Sequence, residues 1–207
     1  IDLTFANRYS ISLIDSNKLG KLNSKNLLSL TKKFYNDTYT MDQFGCSSPN
    51  SVFWLGKNKT AKKNFWYELN KIVDNEYNLD LSGANKKISN LMNYALGKNK
   101  DFKVNIRNFN LITLKNKKLN FDNFENISFG TFIEIDLNNI NHLKKYTSEK
   151  LQTITYFGTD FKSIKKFIIE NNIKGIDRIV PIGRAFDLTP EWDGIDIIAT
   201  LSRTIGI

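Results

Sequence analysis

The sequence is organised by an alternation: short runs of β-forming residues are separated by stretches whose apolar residues recur at the helical period. Tyr9 to Ile14 reads as a strand because its side chains alternate in character. Ser24 is placed to cap a helix carrying Leu27, Leu28, Leu30, Phe34 and Tyr35, which fades over Asn36 to Thr40. Beyond Cys46 and Pro49, Ser51 to Leu55 is rich in β-formers, and Gly56 ends it. From Thr60 a second helix places Phe65, Leu69, Ile72 and Val73 at i, i+4, i+7 and i+8, the stripe that buries one face.

The same grammar continues to the end of the chain. Ile88, Leu91, Met92 and Ala95 mark a helix closing near Gly97, and Phe102 to Ile106 and Leu111 to Leu114 are two short strands. Thr131 to Leu137 and Leu151 to Phe157 are strands, Asp160 caps a helix with Phe161, Ile164, Phe167 and Ile168, and Ile176 to Pro181 is a last strand. Strand, helix, strand at this spacing implies an α/β fold, a mostly parallel sheet with helices on both faces. With no low-complexity linker and no internal repeat, residues 1–207 read as a single domain, large enough to bury roughly 70% of its unfolded surface.

Composition narrows the function classes. The longest apolar run, Val52 to Leu55, is far short of the ~18 residues of a membrane span. No secretion signal is visible, and with Cys46 as the lone cysteine an internal disulfide is impossible, so the expected compartment is the cytoplasm. The chain begins at Ile1 rather than Met, which suggests a piece of a longer polypeptide. The net charge of +9 makes a basic binding module for nucleic acid or an acidic protein one reading. Against it, only five basic residues are arginine, the lysines come in short pairs on helix faces, and residues 175–207 carry three arginines against five carboxylates. One Cys and one His give no zinc spacing, and neither a calcium loop nor a glycine-rich phosphate fingerprint is present.

The segment Met41 to Pro49 holds the chemistry-bearing residue. Cys46 sits among small and polar residues between a helix and a strand, where a loop presents sulfur to a ligand. Gly45 allows close approach, and Ser47 and Ser48 leave room for an acyl thioester. A thiol near ~8.5 is only a few per cent thiolate at neutral pH, so local groups must assist it, and turn N–H groups can receive an oxyanion. The competing reading is a small buried cysteine. His142 is the only available histidine partner, far along the chain beside Asn141, so a hydrolytic Cys–His pair is not favoured.

Asn7 to Asp15, Met41 to Pro49 and Ser51 to Gly56, with Leu151 to Gly158, Gly175 to Ala185 and Trp192-Asp193-Gly194, together resemble the Lux-type acyl-CoA reductases. These are the reductase component of the bacterial fatty-acid reductase complex, a branch of the aldehyde dehydrogenase superfamily. The resemblance implies an aldehyde dehydrogenase-like catalytic domain, with a nicotinamide-binding domain expected upstream. It implies reduction of a fatty acyl-CoA or acyl-protein thioester to an aldehyde with NADPH, the acyl group held as a thioester on Cys46. It also implies acyl-transferring or synthetase partner subunits and an oligomer at full length.

Asp42, Gln43, Ser47 and Ser48 are then the residues shaping the cysteine loop. The superfamily's hydrolytic glutamate falls where this chain has Leu3-Thr4-Phe5-Ala6, which favours thioester reduction over oxidation to acid. Its ribose-binding glutamate stands two residues before a Phe-Gly pair; Phe129-Gly130 matches the pair, but Ile127 stands at the glutamate position, leaving Glu125 and Glu134 as the cofactor-site candidates. Arg178 and Arg184 are expected to meet an anion or to pair with Asp177 and Asp187. A cysteine acyltransferase using the same thioester remains an alternative.

Overall fold

The computed structural model describes residues 7–96, 102–116 and 127–203. Its frame is a seven-stranded sheet built from β1 (Tyr9–Asp15), β2 (Pro49–Leu55), β3 (Phe102–Asn108), β4 (Leu111–Asn116), β5 (Thr131–Asp136), β6 (Leu151–Phe157) and β7 (Arg178–Pro181). The spatial order is β3-β4-β5-β2-β1-β6-β7. Every pairing is parallel except the β3–β4 hairpin. The expected mostly parallel α/β sheet is therefore what forms, and its strands lie close to the expected limits.

Alternation along the central strands sends successive side chains to opposite faces. Ile11, Leu13 and Phe53 enter one core, shared with Tyr94 of α4 (Leu81–Leu96) and Ile164 and Phe167 of α5 (Phe161–Glu170). Ile14, Val52 and Trp54 enter the other, beneath α1 (Ser16–Leu19), α2 (Ser24–Tyr39) and α3 (Lys59–Glu76). Phe34, Phe65, Trp66, Trp54 and Phe132 form a near-continuous set of edge-to-face and tilted ring contacts there. Burying each such side chain stabilises the fold by about 1.5–3 kcal/mol.

Some boundaries differ from expectation. The cap of α2 is Asn23, whose side chain accepts the Asn26 N–H, so Ser24 is already helical. Helix α4 starts at Leu81, well before Ile88, because the Asp80 carboxylate takes the Gly83 N–H at 2.6 Å and closes its first turn. Gly97 lies outside the described residues. A two-residue hairpin, β8 (Glu191–Trp192) and β9 (Ile195–Asp196), turns at Asp193-Gly194, both left-handed at φ 51° and 73°. That is the backbone an Asp-Gly hairpin turn requires. A short α6 (Ile197–Leu201) follows.

Candidate active site

Because β1, β2, β5 and β6 run in parallel, the loops preceding them gather at one edge of the sheet, and the Cys46 loop enters that edge ahead of β2. The loop is set by two left-handed residues, Asp42 (φ 51°) and Gln43 (φ 62°), conformations that store strain in non-glycine residues and persist only where surrounding bonds enforce them. The enforcing bonds come from a second left-handed pair, Ser128 and Phe129 (φ 61° and 52°). The Phe129 N–H donates to the Asp42 carbonyl at 3.1 Å. The fully buried Gln43 side chain accepts from the Gly130 and Thr131 N–H groups (2.7 and 3.1 Å) and donates to the Pro49 and Thr131 carbonyls. Asp42 Oδ1 receives the Tyr77 hydroxyl at 2.6 Å, and burial, ahead of the Asp42 carboxylate, holds that phenol far above its ordinary pKa.

The three other sides of the loop are equally tied. Ser10 Oγ donates to the Cys46 carbonyl at 2.7 Å. Ser48 Oγ donates to the carbonyl of Asp37, and Ser47 and Ser48 are both buried, so these two serines pack the loop from beneath. Asp37 in turn accepts the Gly183 and Ala185 N–H groups at 2.6 and 3.0 Å. Burial outweighs those two bonds and pushes its carboxyl up to about 6. The segment it holds carries Phe186, whose ring lies against Gly45; a Cβ there would stand 2.7 Å from Phe186 Cε1.

Cys46 itself is a free, half-buried thiol. Its Sγ receives the Gln152 side-chain amide at 3.4 Å, and the same amide donates to Asp193. Arg8 completes the cluster, bonded to Asp177 at 2.6 Å and to Asp193 at 3.5 Å. Arg178 spans the carbonyls of Arg184, Ala185 and Asp187 and stacks over Trp192. Burial lowers its pKa, while Asp187, Asp37 and the Cys46 sulfur pull it back up. Among the described residues, neither the Cys46 nor the Ser47 N–H has a hydrogen-bond acceptor, leaving two donors at the turn beside the sulfur.

The residues expected at the site divide clearly. Asp42, Gln43, Ser47 and Ser48 all lie in the Cys46 loop, which Gln43, Ser48 and the Phe129 and Gly130 N–H groups tie to its surroundings. Glu134 is elsewhere: it lies in the carboxyl half of β5, buried, with its carboxylate on the Trp54 indole N–H at 2.9 Å. Glu125 and Leu3 to Ala6 lie outside the described residues. His142 is half-buried in a 3₁₀ turn (Ile140–Tyr146) and has no hydrogen bond to the sulfur. Arg184 pairs with Asp187 as expected, but Asp177 pairs with Arg8 rather than Arg178, whose guanidinium is spent on backbone carbonyls.

Sequence reasoning missed Gln152, Asp193, Arg8 and Asp37. The Asp-Gly turn at 193–194 was the signal available.

Comparison with protein families finds a match to acyl-CoA reductase (LuxC) over residues 2–204. The chain belongs to the LuxC acyl-CoA reductase family. No curated protein matches it. Among solved structures, an NAD-dependent aldehyde dehydrogenase from Sinorhizobium meliloti is similar at 8% identity and a TM-score of 0.59, covering 90% of this chain and 39% of its own. Succinic semialdehyde dehydrogenase from Streptococcus pyogenes, in complex with NADP+, is similar at 14% identity and TM-score 0.54, covering 90% and 42%. An NADP-dependent enzyme from E. coli is similar at 9% identity and TM-score 0.55, covering 85% and 38%. These likenesses show an aldehyde dehydrogenase-like fold, and the chain spans about two fifths of the length of those structures.

A nicotinamide dinucleotide does not fit the small pocket that adjoins Gln152, the side chain bonded to the Cys46 sulfur. The pocket there, between Gln152, Arg178 and the β8–β9 hairpin, holds about 40 Å³, far below the several hundred of a typical ligand site.

Proposed function

We propose that this chain is the thioester-forming catalytic portion of an acyl-CoA reductase, with Cys46 as the nucleophile. The observation that carries the reading is the half-exposed Cys46 sulfur on a strained, fully braced turn, in a chain of the LuxC family. The thiolate attacks the carbonyl carbon of a fatty acyl-CoA or acyl-protein thioester. The unpartnered Cys46 and Ser47 N–H groups are placed to receive the oxyanion, an interaction worth a few kcal/mol where donors are preorganised. The tetrahedral adduct collapses by breaking the bond to the carrier sulfur, which leaves with the proton that the Cys46 thiol gave up. The acyl group remains on Cys46.

NADPH supplies the hydride that turns this acyl-enzyme into an aldehyde, and we place its binding in a domain outside this chain. Gln152, oriented by Asp193, holds the sulfur at the turn; Gln43 and Ser48 keep the turn from relaxing. A cytoplasmic enzyme that assembles with acyl-transferring or synthetase subunits completes the reading.

The test uses the full-length enzyme. Cys46→Ala is expected to abolish aldehyde formation from acyl-CoA while keeping the wild-type melting temperature. Aldehyde formation by a folded Cys46→Ala protein would overturn the assignment. A cysteine acyltransferase is distinguished by product: it passes the acyl group to an acceptor with no consumption of NADPH.

A further inference from the structure

The opposite edge of the sheet carries a different feature. Outside the carboxyl ends of β1, β2 and β5, where open parallel sheets commonly bind ligands, lies a cleft of about 940 Å³. It is separated from Cys46 by the length of a seven-residue strand, roughly 20 Å. Seven cationic side chains line it against two carboxylates, Glu134 and Asp136. Those carboxylates offset only part of the charge: Asp136 pairs with Lys62 and Lys115, and Glu134, bonded to the Trp54 indole N–H, acts on Arg107 through space.

Arg107 is the telling residue. Its guanidinium is half-buried over the Trp66 ring at 5.4 Å; among the described residues it makes a single hydrogen bond, to Thr113, and has no carboxylate within ion-pair distance. Burial lowers its pKa, and the Glu134 carboxylate, acting through space, offsets that only in part. Trp66 also lines the cleft, and its buried indole N–H has no acceptor. The first turn of the 18-residue α3 opens onto the same space at Lys59, adding the positive end of a helix dipole.

We propose that this cleft binds a phosphate-bearing anion with two or three linked phosphates, such as a nucleoside triphosphate. One carboxylate would leave most of the surplus charge unmet, whereas a triphosphate carries several charges on oxygens suited to a guanidinium fork and to lysine ammonium groups. The cleft is large enough to take a nucleotide whole. This site is independent of the Cys46 reading and stands whether or not that reading holds.

The test is calorimetric titration of the full-length enzyme with inorganic triphosphate and, separately, with ATP. It is run at physiological salt and saturating NADP+, so that a dinucleotide site elsewhere in the enzyme is filled. One saturable event per chain is expected. Affinity should fall at least tenfold in Arg107→Gln and several-fold in Lys63→Glu, an exposed position whose substitution leaves packing intact. Tighter binding of ATP identifies a nucleotide as the ligand; equal binding identifies the phosphate chain alone. The proposal is overturned by absence of saturable heat or by affinities indifferent to both substitutions. A DNA duplex bound more tightly than either probe, and weakened by the same substitutions, would overturn it too, since the cleft would then be a nucleic-acid surface.

Discussion

The two edges of this sheet are built on opposite principles. At the amino edge the side chains around Cys46 are bonded to one another: two left-handed turns clasp each other, the Gln43 side chain makes four hydrogen bonds, and Arg8, Asp177, Asp193 and Gln152 form one chain of contacts ending on sulfur. At the carboxyl edge cations outnumber carboxylates, and Arg107 sits half-buried with no ion-pair partner among the described residues. The contrast separates an edge that holds one atom in place from an edge that waits for charge. A buried polar network is stable only when complete, so damage at the first edge should be expensive and damage at the second cheap.

The largest effect is expected from Gln43→Ala. It strands the Gly130 N–H, leaves the Thr131 N–H with only the Ser128 carbonyl, opens a cavity under the cysteine loop, and should cost about 3 kcal/mol in urea unfolding. A cost near zero would mean that the two turns do not depend on one another.

Next comes Lys87, fully buried in α4 with its ammonium on the carbonyls of Phe109 and Phe129, and pushed by burial down to about 7. Between pH 7 and the ordinary lysine value the folded state binds fewer protons than the unfolded, so stability rises with pH across that window and the cost is complete below it. Relative to Lys87→Met, the wild type should gain on the order of 2 kcal/mol from pH 7 to pH 10. Parallel pH profiles of the two proteins would contradict this.

Gly45→Ala follows, at about 1–2 kcal/mol, since its Cβ meets the Phe186 ring. A double-mutant cycle with Phe186→Ala should recover most of that loss, and additivity of the two changes would show that the ring does not bear on the loop. Smallest are Lys63→Glu and Lys103→Glu at the open edge, expected within about 0.5 kcal/mol of wild-type stability in the same assay.

What could be read from the sequence follows the range of the interactions. β6 was bounded correctly by its own alternation, and α3 was out by one residue at its start because its apolar stripe is local. Cys46, Gln43 and Ser48 were legible as a group because they are neighbours in the chain. Asp37 was not, since its importance comes from N–H groups almost 150 residues away. Gln152 reaches Cys46 across 106 residues, and only the parallel pairing of β1 with both β2 and β6 brings them together. The β8–β9 hairpin escaped as structure because two-residue strands carry no period, although its Asp-Gly turn was in view. Glu134 was selected by its closeness in sequence to Phe129-Gly130, but four or five residues along a strand carry a side chain to the other half of the sheet.

The central claim is that the amino edge exists to present one sulfur to an acyl thioester. Its most direct test is peptide mapping by mass spectrometry of the full-length enzyme after brief incubation with a fatty acyl-CoA and no NADPH. The account predicts that the peptide containing Cys46 gains the mass of one acyl group and releases it on treatment with hydroxylamine. Acyl mass on any other residue, or an unmodified Cys46 in enzyme that turns over when NADPH is added, would contradict it.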